Sequence, residues 1–216
     1  MAIHPKNPEP VGLAIFAKAP QAGMAKTRLI PALGAGGAAR LQRQLTLQAL
    51  TLAAQAVAAG DIDPPTLWVT PDASHRFFRS LQRCRGSIVR SQQGPDLGRR
   101  MAAAFAAQAG PLLLIGSDCP ALRPAHLAAC ALALRNGDDA VFVPAEDGGY
   151  VLVGLRRPQP RLFEGIDWGG AQVMRQTRRK LRELGLRWTE PATLWDVDRP
   201  DDLARLSTLA GFAAWP

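Results

Sequence analysis

The sequence predicts an α/β fold in three layers, with helices on both faces of a mostly parallel, mixed sheet. Short apolar runs alternate with longer stretches of helical periodicity, and Gly and Pro mark the junctions between them. The apolar content is mainly Ala and Leu, with only 7 Phe, 5 Trp and 1 Tyr in 216 residues, which suits helices packed on a sheet better than an aromatic-cored sandwich.

Residues 1–10 are polar and Pro-rich and read as a flexible N-terminal arm, leaving 11–216 as a single domain. VGLAIF at 11–16 is a short buried strand, followed by a loop over 17–36 that holds Pro20, Gly23, Pro31, Gly34 and Gly36. A long helix is expected over 37–59, because Leu41, Leu45, Leu52 and Ala56 fall near one face, and Gly60 stops it. Strands follow at 66–70, 87–90 and 111–116, separated by helices at 73–82 and 97–109. PLLLIG at 111–116 is the clearest buried strand. A Pro-opened helix at 124–134 leads to strands at 139–145 and 149–155. An Arg-rich helix at 171–184, a strand near 186–190 and a terminal helix after the carboxylate run at 196–202 complete the chain. Right-handed crossovers would bring the loops that follow the parallel strands to one sheet edge, where open α/β sheets bind ligands.

The formal net charge is +8, and residues 1–110 carry 13 Lys and Arg against 5 Asp and Glu, whereas the second half is balanced. The first half therefore favours an anionic partner and the second supplies the carboxylates. Nucleic acid is not the expected partner, because the cations are dispersed through helical patterns without interleaved aromatics for base stacking. The odd cysteine count (Cys84, Cys119, Cys130), without a Cys-x-x-Cys, argues against a disulfide framework and a thiolate zinc site. His4, His75 and His126 lack metal-ligand spacing. The N-terminus has no apolar signal core and no run of ~18 apolar residues follows, so no membrane partner is expected and the cytoplasm is the expected compartment. The sequence leaves the oligomeric state open.

The segment AKAPQAGMAKTRL at 17–29 is the first with chemistry in it. It places Ala17, Lys18, Gly23, Lys26, Thr27 and Arg28 directly after a buried strand, combining a flexible backbone with cations as a phosphate-binding loop requires. The spacing matches neither a Walker A loop nor a dinucleotide fingerprint. A second loop, SQQGPDLGRRM at 91–101, offers the Gln93 amide to a base edge and Arg99 and Arg100 to phosphate, although a turn and helix start explain it equally well. GSDCPAL at 116–122 delivers Asp118 from the best strand into a Pro turn, where one carboxylate can share Mg²⁺ or Mn²⁺ with phosphate and water. EDGGY at 146–150 is acidic and then flexible, and fits a substrate-lining loop or a hairpin turn equally. In WDVDRPDDL at 195–203, Asp196 and Asp198 precede the helix and are metal candidates, whereas Asp201 and Asp202 fall in its first turn.

Taken in order, AIFAKAPQAGMAKTRL, QGPDLGRRM, LLLIGSDCPAL, VFVPAEDGGYVLVGL and DVDRPDDL resemble a bacterial glycosyltransferase-like family of the DUF2064 type, including arsenosugar-associated members. That family has a GT-A-type, nucleotide-diphospho-sugar transferase fold, and the resemblance spans about Val11 to Leu206. The related 2-phospho-lactate guanylyltransferases share a Lys-[Thr/Ser]-Arg-Leu element. The resemblance implies a metal-dependent transfer from a nucleotide or nucleotide-sugar donor to a small acceptor, glycosyl transfer first and nucleotidyl transfer as the alternative. A non-catalytic nucleotide-binding module is a further alternative. It also implies that Lys18, Lys26 and Arg28 contact phosphates and that Gln93 and Gly94 lie near the base. Asp118 and Asp198 would be metal ligands. Asp147, Gly148, Gly149, Tyr150 and Trp168 would border the acceptor or sugar, with Asp147 a candidate base. Two departures stand out. Only one Asp is present where relatives carry Asp-x-Asp. Trp168 of the family's Trp-Ser-Thr element is kept, but Gly169 and Gly170 replace its hydroxyls, which weakens any transfer of donor or acceptor specificity.

Overall fold

The structure, a computed structural model, describes residues 10–212, so the expected arm and His4 lie, Pro10 apart, outside the described residues. Seven strands form one sheet in the order β3-β2-β1-β4-β6-β5-β7. They are β1 (Gly12–Lys18), β2 (Thr66–Thr70), β3 (Ile88–Ser91), β4 (Leu112–Gly116), β5 (Ala140–Pro144), β6 (Tyr150–Leu155) and β7 (Trp188–Thr189). The pairs β1–β2, β1–β4, β2–β3 and β5–β7 are parallel, while β6 runs antiparallel to both β4 and β5. The chain thus steps outward from β1 to β3 and returns to β4 on the other side of β1. That reversal opens a crevice between the C-terminal ends of β1 and β4, the place where such sheets bind ligands.

Six α-helices and two short 3-10 turns, at Thr27–Leu29 and Pro160–Phe163, complete the described fold: α1 (Ile30–Ala58), α2 (Arg76–Arg85), α3 (Leu97–Ala106), α4 (Pro124–Arg135), α5 (Val173–Glu183) and α6 (Asp202–Leu206). The apolar faces of α1, α2 and α4 bury Ala53, Phe78 and Leu127 against Leu13, Ile15, Leu67 and Leu113 on one side of the sheet. On the other side, α3 and α5 bury Phe105 and Leu181 against Ala14, Leu112, Phe142 and Val153. These two cores make the three layers. A third cluster joins Leu41 and Leu45 of α1 to Trp195, Val197, Leu203 and Phe212, and so pins the late carboxylate run against the first long helix.

The boundaries differ from expectation in three places that bear on the site. β1 extends through Ala17 and Lys18, so these two belong to a strand rather than a loop. The chain turns helical at Thr27–Leu29 and then enters α1, which breaks at Gly34 (φ 68, ψ 163) before continuing. The glycine allows a positive φ there, and the segment expected as irregular is a kinked helix entry. The 146–149 segment is the β5–β6 hairpin connection. Among the described residues the three cysteines are free, and no helix is long and apolar enough to cross a membrane. His75 N-caps α2, with Nδ1 accepting from Phe77 N–H, and His126 sits in the first turn of α4, accepting from Arg123 N–H.

Candidate active site

A cavity of about 600 Å³ opens at the crevice between β1 and β4. Its walls include Lys18, Lys26, Thr27, Arg28, Arg100, Asp118, Tyr150, Asp196 and Asp198, which brings together nine residues singled out from sequence, distributed from position 18 to 198. Parallel pairing places the ends of β1, β2, β3 and β4 at one edge, and antiparallel β6 contributes its first residue, Tyr150, to the same edge.

Asp118 is positioned from three directions. Gln42 of α1, 2% exposed, donates from Nε2 to Ser117 Oγ at 3.0 Å, and Ser117 Oγ donates to Asp118 Oδ1 at 3.2 Å. Lys26 Nζ lies 2.9 Å from Asp118 Oδ2 and also donates to the Val197 carbonyl. Val197 N–H in turn donates to the Asp118 carbonyl at 2.9 Å, which holds the carboxylate run beside the end of β4. Lys26 is the only described non-glycine residue with positive φ (48°), and its side chain is 4% exposed. It is therefore a wall residue of the cavity, paired to Asp118. Lys18 has no ion-pair partner among the described residues, and Arg28 pairs with Asp198. Arg100 donates from Nε to the Gly94 carbonyl at 3.0 Å and leaves its remaining N–H groups to the cavity.

The carboxylate omitted from the metal pair expected from the resemblance is the most perturbed. Burial, then the neighbouring Asp147 and Asp118 carboxylates, push Asp196 from the ordinary 3.8 up to about 6, against the opposing pull of Lys26. Asp196, Asp198, Asp147 and Arg28 also line a smaller cavity of about 150 Å³ that adjoins the first. Among the described residues no three His, Cys, Asp or Glu side chains converge closely enough to encage a cation alone. The donors nevertheless fit Mg²⁺ or Mn²⁺ completed by phosphate and water: they are hard carboxylate oxygens, and a carboxyl group crowded by other carboxylates is relieved by a cation.

Several expected contacts sit elsewhere. The Ala17 side chain is buried in the core, Gly23 lines no part of the cavity, and Gln93 and Gly94 are exposed outside it. Gln92, not Gln93, lines the cavity together with Leu97, and its Nε2 donates to the Trp68 carbonyl at 3.1 Å. Side chains alternate along an extended segment, so a shift of one residue reverses the face. Gly148 has φ 94°, and a Cβ there would lie 2.1 Å from the Ala171 carbonyl oxygen, so it serves a backbone contact with the α5 entry. Asp147 Oδ1 accepts from Gly149 N–H at 2.9 Å, which closes the hairpin turn. Trp168 packs edge-on behind Tyr150, with ring centroids 6.3 Å apart, and its Nε1 would lie 2.8 Å from a Cβ at Gly98. It supports the wall and does not line the cavity. Burial raises the Tyr150 hydroxyl pKa well above its ordinary value, so it stays protonated, and it lies 3.8 Å from Met101 Sδ. Asp202 accepts from the N–H groups of Asp198 and Arg199 at 2.9 and 2.7 Å and fixes the turn that presents Asp198. Of the residues that sequence reasoning passed over, Gln42 had a readable signal: a polar residue inside the buried stripe marked by Leu41 and Leu45.

The profile of a family described as uncharacterised proteins conserved in bacteria (DUF2064) matches residues 51–170, more than half of the chain. The chain belongs to the DUF2064 family. A 3-phospho-D-glycerate guanylyltransferase from Phenylobacterium zucineum (strain HLK1) is 29% identical to this DUF2064 member over 150 residues, 65% of this chain and 66% of the relative. Among solved structures, a chain assigned provisionally as a nucleotide-diphospho-sugar transferase from Desulfovibrio desulfuricans G20 superposes with TM-score 0.80 at 28% identity, covering 95% of this chain and 90% of that one. CMP:2-keto-3-deoxy-manno-octonic acid synthetase complexed with CTP superposes with TM-score 0.60 at 12% identity over 91% and 96%, a likeness of fold alone. The DUF2064 chain thus has the nucleotide-diphospho-sugar transferase fold and falls in the superfamily of nucleotide-sugar transferases and nucleotidyltransferases.

Proposed function

We propose that the protein is a divalent-metal-dependent nucleotidyltransferase that moves a nucleoside monophosphate from a nucleoside triphosphate to a small anionic acceptor. The observation that carries this reading is the crevice itself, whose lining combines Lys18 and Arg100 with Asp118, Asp196 and Asp198. The cations match a polyphosphate, and the carboxylates match a metal shared with it. The guanylyltransferase relative supports nucleotidyl over glycosyl transfer, although the chain covers 66% of that protein's length.

In this reading an acceptor oxygen attacks the α-phosphorus, a new P–O bond forms, and the bond to the bridging oxygen breaks so that pyrophosphate leaves with the electron pair. Lys18 and Arg100 screen the phosphate charge that would otherwise repel an anionic acceptor. Lys26 lies where its ammonium can turn to the phosphates once Asp118 takes another partner. Asp118 and Asp198, with Asp196 beside them, would hold Mg²⁺ or Mn²⁺, which when bound supplies charge neutralisation on the departing pyrophosphate. Gln92 and Leu97 form the wall on which the base would rest. Asp147, tied into its own turn, is better placed to shape the acceptor side than to exchange protons.

Product analysis tests this directly. The purified protein with Mg²⁺, GTP and 3-phospho-D-glycerate is followed by phosphorus NMR, and the other three nucleoside triphosphates are run in parallel. Pyrophosphate formed in step with a nucleotidylated acceptor is the expected result. Glycosyl transfer is the second reading, favoured by the likeness to the Desulfovibrio protein. It would instead release nucleoside diphosphate from a nucleotide-sugar. Turnover of neither donor class would contradict both readings and leave a binding module.

A further inference from the structure

A second cavity, of about 470 Å³, lies between α1, α2 and the loop after β1, and no residue lines both it and the crevice. Its polar lining comprises Arg40 and Arg43 of α1, His75, and Arg76 and Ser80 of α2, with Phe77 among its apolar residues and no Asp or Glu. Three guanidinium groups in one concave site repel one another, and folded proteins ordinarily offset such a cluster with carboxylates. Here none is offset. Among the described residues Arg40, Arg43 and Arg76 have no ion-pair partner, whereas Arg156, Arg178, Arg187 and Arg205 each hold a carboxylate. The nearby Asp72 carboxylate accepts from Ser74 N–H at 2.7 Å and is drawn electrostatically to His75, but it is not part of the lining.

The remaining polar groups are donors as well. His75 Nδ1 accepts from Phe77 N–H at 3.3 Å, which leaves Nε2 to carry the ring proton. Arg43 lies over the Phe77 ring, with Cζ 5.7 Å from its centroid, an arrangement that steadies the guanidinium. Planar guanidinium groups that line one cavity can match the tetrahedral oxygens of a phosphate group bidentately. We propose that this cavity is a binding site for a phosphorylated small molecule, separate from the nucleotide crevice. Pro20 and Ala22 also line it and belong to the loop that leads to Lys26. The proposal does not depend on which transfer reaction the crevice performs.

The probes are glycerol 2-phosphate and inorganic pyrophosphate, titrated without metal into the intact protein and followed at the arginine Nε–Hε resonances and the Lys18 signals. Saturable shifts at Arg43 and Arg76 are expected. The double variant Arg43→Gln, Arg76→Gln should weaken binding at least about tenfold, because it removes two charge-assisted bidentate contacts. Both side chains are exposed, so the variant should fold as the parent does, which its melting curve checks. Lys18→Met should leave this binding unchanged. Shifts confined to Lys18 and Arg100, or none that saturate at millimolar probe, would overturn the proposal while leaving the crevice assignment untouched. A single-stranded oligonucleotide serves as a third probe. If it binds more tightly than glycerol 2-phosphate, shifts Arg79 and Arg83 as well and weakens steeply with salt, the patch is a nucleic-acid surface and the small-molecule site is refuted.

Discussion

Replacing Asp196 with Asn should stabilise the metal-free protein at neutral pH while impairing its chemistry. An aspartate raised from 3.8 to about 6 is held against its preference to ionise, first by burial and then by Asp147 and Asp118. The sign follows from linkage. The folded state favours the protonated form, so no cost arises below the unfolded value near 3.8. The cost grows between there and about 6 and is fully present above. A shift of roughly two units corresponds to at most about 3 kcal/mol. Asp196 is only half-buried, so screening by water reduces this to about 1–2 kcal/mol. For a chain of this size that is a gain of roughly 2–8 °C in melting temperature. Thermal melts of both proteins in EDTA across pH 3.5–8.5 would show matching curves at the acid end and a gap that opens towards neutrality. A gap that is absent at pH 8, or equal at every pH, would refute the electrostatic origin of the effect.

Three further outcomes follow from the geometry. Gly148→Ala places a Cβ 2.1 Å from the Ala171 carbonyl oxygen at φ 94° and should cost about 3 kcal/mol or more, whereas Gly149→Ala meets only the Asp147 side chain at 3.2 Å and should cost under about 1 kcal/mol; urea denaturation compares the two. Glu190, held below its ordinary pKa mainly by its hydrogen bond from Arg178, contributes stability above its unfolded value that disappears as pH falls through the lowered folded value. Glu190→Gln should therefore lose about 0.5–1 kcal/mol at pH 7 and nothing near pH 3, read from chemical denaturation at both pH values. Gln42→Leu removes the donor to Ser117 that orients Asp118 and should weaken Mn²⁺ binding by about 10–100-fold, measured by electron paramagnetic resonance with nucleotide present.

The sheet was legible because each buried strand is a short apolar run followed by a turn signal, and LLLIG followed by Asp118 is the clearest instance. The site was legible where one strand end delivers one charged residue, as at Lys18 and Asp118. It was illegible where partners come from distant segments: nothing local says that Lys26 spends its charge on Asp118, or that Val197 ties the carboxylate run to the end of β4. Gln93 was chosen over Gln92 because composition does not fix the face of an extended segment. DGGY fits both a substrate loop and a hairpin, and only the approach of Ala171 shows that Gly148 is required by packing. Trp168 was placed in the site by resemblance, but the close approach of α3 at Gly98 sets it behind Tyr150.

Metal-dependent stabilisation by nucleotide tests the crevice most directly. Melting curves with GTP and the other nucleoside triphosphates, each with Mg²⁺ and with EDTA, would be recorded for the parent, Asp118→Asn and Lys18→Met. A ligand at about 100 times its Kd adds roughly 2.7 kcal/mol. The crevice predicts a rise of about 5–10 °C with Mg²⁺ for at least one nucleotide, lost with EDTA and in both variants. An equal rise in EDTA, or one that survives both substitutions, would contradict a nucleotide and metal site built on Lys18 and Asp118.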